Sequence, residues 1–161
     1  MKVCNSEAMK YIKELERQKD ILLYTENNRS TISYKEGEVK QASKYDYEAT
    51  RKGIEEINAK IRKIKHVLSI ANTTTVVDGF DMTIGEALVY LAQLNLEYEQ
   101  VSRLAARDKL SRRITANGVL EYTECVYDPE QAEAKQEEIY ATIAKLQVAI
   151  DRANLTHFIE I

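Results

Sequence analysis

The chain has 161 residues, 30% of them charged, with a net charge of −3 at pH 7, five Gly and one Pro. A chain of this length is expected to form a single domain, residues 1–161, and can bury roughly 70% of its unfolded surface without disulfide or metal staples. The slightly acidic balance disfavours a nucleic-acid partner, which calls for a basic footprint, and no apolar window reaches the about 18 residues of a transmembrane helix.

The opening MKVCNSEAMKYIKELE lacks the apolar run of a signal peptide. Cys4 and Cys125 are two isolated thiols, expected to be reduced. Both features give a cytoplasmic protein as the expectation. Asn5 and Ser6 are good N-cap residues and open the first predicted helix. Ala8, Ile12, Leu15 and Leu22 follow at coiled-coil spacing. Lys19 falls on the same seam, where its stem can lie along apolar surface with its head in water. The helix is expected to stop near Thr25–Asn28.

Residues 29–44 have no helical period. Thr31, Ile32, Tyr34 and Val39 around Glu36-Gly37-Glu38 read as a ragged β-hairpin or an extended arm. A second helix is predicted from Asp46 to Ala71, where Ile54, Ile57, Ile61, Ile64 and Leu68 step by threes and fours. Its outer face carries Arg51, Lys52, Lys60, Arg62, Lys63 and Lys65. Glu55 and Glu56 offset these, so the face reads as solvated rather than as a nucleic-acid surface.

The link from Asn72 to Met82 is a loop with a turn at Asp78-Gly79. Thr83-Ile84-Gly85-Glu86 has the pattern of a capping box and opens a third helix, expected to reach Arg113. Asn117-Gly118 is a tight-turn pair followed by a β-rich run. Asp128 and Pro129 are an N-cap and a first helical residue. The fourth helix carries Ile139, Ile143, Leu146 and Ile150 on its seam. A short, partly apolar tail with Phe158 closes the chain.

Residues 45–74 and 127–156 are related: with 45 laid on 127, a shift of 82, 12 of the 30 positions are identical without a gap. Tyr-Asp, Glu-Glu-Ile and Ala-Asn recur in register. The expected fold is therefore mainly α: an antiparallel four-helix bundle made of two duplicated helix–arm–helix halves, roughly 5–74 and 83–156, with two short β-like arms at one end.

Two groups of residues are candidates for function. Asn72, Thr74, Thr83, Asn154 and Thr156 are expected to share the end opposite the arms, as a polar binding site or as helix caps. The chain has ten Tyr against two Phe and no Trp. Tyr34, Tyr45, Tyr47, Tyr122 and Tyr127 gather at the arms and suit an interface, since each joins an apolar body to a polar tip. The duplicated Glu55-Glu56 and Glu137-Glu138 lack the His three residues on that a dinuclear metal site in a bundle uses; Ala59 and Ala141 stand there instead. No metal and no cofactor are expected. His66 and His157 stand alone, with no Ser/Cys–His–Asp pattern and no glycine-rich phosphate loop.

Leu68-x-Ile70-Ala71-Asn72-Thr73-Thr74, Met82-Thr83-Ile84-Gly85-Glu86-Ala87-Leu88, Leu110-Ser111-Arg112 and Ile150-x-x-Ala153-Asn154 resemble, in order, the septicolysin-like family of small helical bacterial proteins. The resemblance covers roughly residues 46–158. It implies an all-helical domain and carries over no catalytic residue. The expected function is a non-enzymatic helical scaffold or interaction protein, a homo-oligomer or one with a protein partner. The alternatives are a small-molecule binder or enzyme using the Asn/Thr end, and the membrane-active cytolysin that the family name suggests.

Overall fold

The computed structural model describes residues 1–40 and 42–161. In chain order the elements are β1 (Lys2–Cys4), α1 (Asn5–Arg29), α2 (Tyr47–Thr74), α3 (Ile84–Ala105), β2 (Leu110–Ile114), β3 (Leu120–Glu124), α4 (Pro129–Thr156) and β4 (Phe158–Glu160). The chain is mainly helical, with two small two-stranded antiparallel sheets, β1–β4 and β2–β3. It divides into two compact units, one formed by Met1–Thr74 with Asn154–Ile161, the other by Thr75–Ala153.

In the first unit the predicted seams meet. Ala8, Ile12 and Leu15 of α1 pack with Ile61, Ile64 and Ala71 of α2, and Ile159 of β4 completes the cluster. Gly53 lets the two helices approach, since a Cβ built there would lie 3.2 Å from Leu22 Cδ1. The helix starts one residue earlier than the sequence suggests. Cys4 is the cap, and its backbone N–H donates to Glu7 Oε2 at 2.9 Å. Asn5 is already helical and fully buried, so its side chain is not available as a cap.

The tail of the chain is a strand. β1 and β4 pair with Val3 opposite Ile159. The N-terminal ammonium donates to Ile161 O at 2.9 Å, and Ile161 N–H returns a bond to Met1 O at 3.0 Å. A tail this short showed only its apolar residues in the sequence; its partner is 150 or more positions away.

In the second unit Ile84, Ala87 and Leu94 of α3 meet Ile139, Ile143, Leu146, Ile150 and Ala153 of α4, with Val77 of the preceding link. The link folds back on itself. Val77 N–H donates to Met82 O at 2.9 Å, and Gly79 turns the chain with φ of 78°. Both predicted helix starts are found here. Glu86 N–H donates to Thr83 Oγ1 at 3.3 Å while Thr83 N–H donates to Glu86 Oε2 at 2.8 Å, and α4 opens at Pro129 behind Asp128.

α3 ends at Ala105 rather than near Arg113. Residues 110–114 pair with 120–124 instead. The cause is the Asn117-Gly118 turn. Gly118, with φ of 75°, closes a three-residue loop between Thr115 and Val119 whose backbones bond at 2.8 Å. That hairpin captures a stretch with helical pattern. The first arm differs. Among the described residues of 30–46 there is a turn at Lys35–Glu38 and no strand.

Candidate functional site

The polar candidates lie at or near the ends of elements. Thr74 Oγ1 donates to Ile70 O at 2.9 Å, back along its own helix. Thr83 caps α3 and belongs to the second unit, whereas Asn72, Thr74, Asn154 and Thr156 belong to the first. Asn154 Oδ1 accepts from Asn5 Nδ2 at 3.4 Å. Asn5 is 0% exposed, and its own Oδ1 has no partner among the described residues. Asn72 is half-buried and Thr156 exposed. Asn5 is the member that sequence reasoning missed, because it reads there only as a cap.

The tyrosine candidates divide. Tyr45 hydroxyl donates to Glu26 Oε1 at 2.9 Å, and Arg51 Nε reaches the same oxygen at 2.8 Å. Tyr127 hydroxyl donates to Leu104 O at 2.8 Å. Each of these two therefore ties an arm to the first helix of its own unit, one residue ahead of the Asp that caps the second helix. Burial, then the neighbouring Cys125 thiol, pushes the Tyr127 phenol up from its usual value, so it stays a donor. Tyr34, Tyr47 and Tyr122 are exposed. Every residue of β2 and β3 is exposed as well.

The acidic pairs stand at the surface: Glu55, Glu56, Glu137 and Glu138 are all exposed, and Lys135 Nζ meets Glu138 at 3.1 Å. His66 is exposed and His157 half-buried. Among the described residues no group of three His, Cys, Asp or Glu could hold a metal ion. No helix among them is long and apolar enough to cross a membrane.

What the sequence did not announce is a set of apolar side chains pointing away from the second core. On α3 Val89 and Leu96 share one side, with Leu96 61% exposed, and Leu88 lies at the margin of the core face. On α4 Tyr140 is 64% and Val148 60% exposed. Two grooves run along α4. One, of about 310 Å³, is lined by Tyr98, Glu133, Gln136, Glu137 and Tyr140. The other, of about 410 Å³, is lined by Phe80, Ala144, Lys145, Val148 and Arg152 among others. Gln136 Nε2 bonds the Tyr98 hydroxyl at 3.1 Å across the first. The signal that could have revealed this face was a comparison of the outer positions of the two similar stretches: with 45 laid on 127, Asn58, Arg62 and His66 align with Tyr140, Ala144 and Val148.

No family model matches the sequence, and no curated protein does. A crystal structure of a conserved protein of unknown function from Corynebacterium diphtheriae is similar over 99% of this chain and 100% of that one, with a TM-score of 0.68 and 18% identity. At that identity the likeness concerns the fold.

Proposed function

We propose that the chain is two copies of one helix–arm–helix unit, and that it works without catalysis as a scaffold that associates with itself. The observation that carries the self-association is the apolar outer face of the second unit. Val89 and Leu96 sit opposite the buried side of α3 with Leu88 at its edge, and a contiguous exposed apolar stripe of this kind is a surface suited to a partner. The β2–β3 hairpin adds to it. A two-stranded sheet exposed on both faces is marginal in water, and a partner surface would steady it.

Several equivalences support the duplication. α2 and α4 have 28 residues each, and both ends differ by the shift of 82 seen in the sequence. Ile61 and Ile143, Ile64 and Leu146, and Ala71 and Ala153 are buried in pairs. The first helices correspond with a shift of 79, which lays Cys4 on Thr83, Glu7 on Glu86, Ala8 on Ala87 and Leu15 on Leu94. The backbone closes alike in both units: Asn5 N–H donates to His157 O at 3.3 Å, and Ile84 N–H donates to Thr75 O at 2.9 Å. The Cys4–Phe158 pairing corresponds to the Thr83–Val76 bridge. The antiparallel four-helix bundle expected from the seams is part of the same proposal, as is the kinship with the septicolysin-like family, whose matching motifs lie at helix ends and seams.

Light scattering on the purified chain tests self-association, and a monomer at every concentration overturns it. Deleting residues 115–126 then asks whether the second arm contributes. A second reading has one observation behind it: the partnerless Oδ1 of buried Asn5 beside Asn154 is an acceptor that a small ligand or a water could meet. Melting-temperature shifts with a metabolite set, abolished by Asn72→Ala with Asn154→Ala, would favour it.

A further inference from the structure

The first half of α4, residues 129–144, holds Glu130, Glu133, Glu137 and Glu138 against one cation, Lys135. Lys135 is already held by Glu138 at 3.1 Å. A helix N-terminus favours acid only in its first turn, which accounts for Glu130 and not for Glu137 two turns on. Glu133 and Glu137 are four residues apart and so share one side of the helix. Both are exposed, and neither has a bond or an ion partner among the described residues.

Beside them lies the groove of about 310 Å³. Its rings, Tyr98 of α3 and Tyr140 of α4, have centroids 6.2 Å apart and planes at 43°. Tyr98 is half-buried against the second core, whereas Tyr140 stands in water. The Gln136 amide donates to the Tyr98 hydroxyl, which leaves the Gln136 carbonyl oxygen as an unused acceptor. The lining therefore offers two carboxylates, an amide oxygen and two aromatic rings, and no Lys or Arg. All of these attract positive charge, the rings through their negative faces.

Packing does not call for this set. With 45 laid on 127, Glu133, Gln136, Glu137 and Tyr140 align with Arg51, Ile54, Glu55 and Asn58 of α2. Where α4 has Gln136, α2 has the buried Ile54. Where α4 has the unpaired Glu133, α2 has Arg51 paired with Glu26.

We propose that this groove binds an alkylammonium cation, a positively charged nitrogen on a short carbon chain. The nitrogen meets Glu133 and Glu137, and its carbons lie against the tyrosines. An ammonium is attracted to a ring centroid within about 6 Å, and two rings this close can share one cation. The Gln136 oxygen accepts from the nitrogen where it carries a proton. Exposed ion pairs contribute little alone, so contact with the rings is what separates this ligand from an inorganic cation. The volume is near the lower limit of ligand pockets, roughly 300 Å³, which suits a small amine or the end of a longer one. Nothing in the site requires a second copy, so a monomeric chain binds as well.

Equilibrium dialysis of the full chain at low salt tests this with two probes, choline for a quaternary nitrogen and spermidine for protonated amines. Saturable binding of either supports the site, and the tighter probe identifies the source of the ammonium. Glu133→Gln with Glu137→Gln should weaken that probe about tenfold or more. Tyr140→Leu should weaken it about threefold or more. Both variants change exposed side chains, so circular dichroism should show native helix content. Glu55→Gln with Glu56→Gln, exposed acids of α2, should bind as the native chain does. Absence of binding by both probes at millimolar concentration overturns the proposal. So does native affinity in the Glu133 and Glu137 variant or in Tyr140→Leu. A loss in the α2 variant equal to that in the α4 variant shows attraction to acidity in general and overturns it too.

Discussion

Single residues set where the elements begin. Thr83 and Glu86 exchange bonds at the start of α3, and loss of the Thr83 hydroxyl in Thr83→Ala should cost about 1 kcal/mol in urea unfolding at pH 7. The Thr83 backbone N–H first, then its hydroxyl, holds the Glu86 carboxyl below the usual carboxylate range. A carboxyl lowered by folding adds stability above its unfolded value and loses it as pH falls through the folded one. Unfolding measured from pH 7 down through pH 4 and lower should therefore show a smaller acid loss for Glu86→Gln than for the native chain. Asn5 shows a residue read correctly in type and wrongly in role. It has the side chain of a cap, yet it is 0% exposed. Chain proximity does not tell a cap from a buried amide; the Asn154 side chain 149 positions away does.

At the scale of elements, the inner and outer faces of α4 separate two kinds of substitution. Leu146 is fully buried among α3 and α4 side chains, so Leu146→Ala should cost about 2–5 kcal/mol in a denaturant melt. Val148, two positions on, points outward, and Val148→Ala should leave the unfolding of the isolated chain within about 0.5 kcal/mol of native. Similar losses at both positions would mean that the outer face is part of the core. The inner seams were legible in the sequence because a period of three and four residues needs only one helix to be read. The end of α3 was not, because the same residues after Ala105 fit a helix or a strand, and the Gly118 turn decides between them.

At the scale of the whole molecule, the proposed duplication leads to a statement about the ends of the chain. Nine residues, Thr75–Thr83, carry α2 into α3, and nine residues, His157–Ile161 with Met1–Cys4, would carry α4 into α1 if Ile161 were joined to Met1. The termini already exchange two hydrogen bonds. A permutant that joins Ile161 to Met1 and opens the chain at Asp78-Gly79 should therefore fold, with native helix content and one cooperative melt. An unfolded permutant would remove the main support for treating the two connections as equivalent.

By itself the sequence determined the four helices, most of their ends and their inner seams, since propensity, caps and spacing act over a few residues. It also held the likeness of residues 45–74 to 127–156, because an ungapped alignment needs no third dimension. Only the tertiary structure decided that the tail is a strand paired with the N-terminus, that Asn5 is buried, that two of the arm tyrosines bond inward, and that the apolar residues on the outer sides of α3 and α4 have no core to enter. Each of these depends on which distant residue comes near. Burial and hydrogen bonding are satisfied between segments far apart in the chain, and local spacing carries no record of that choice.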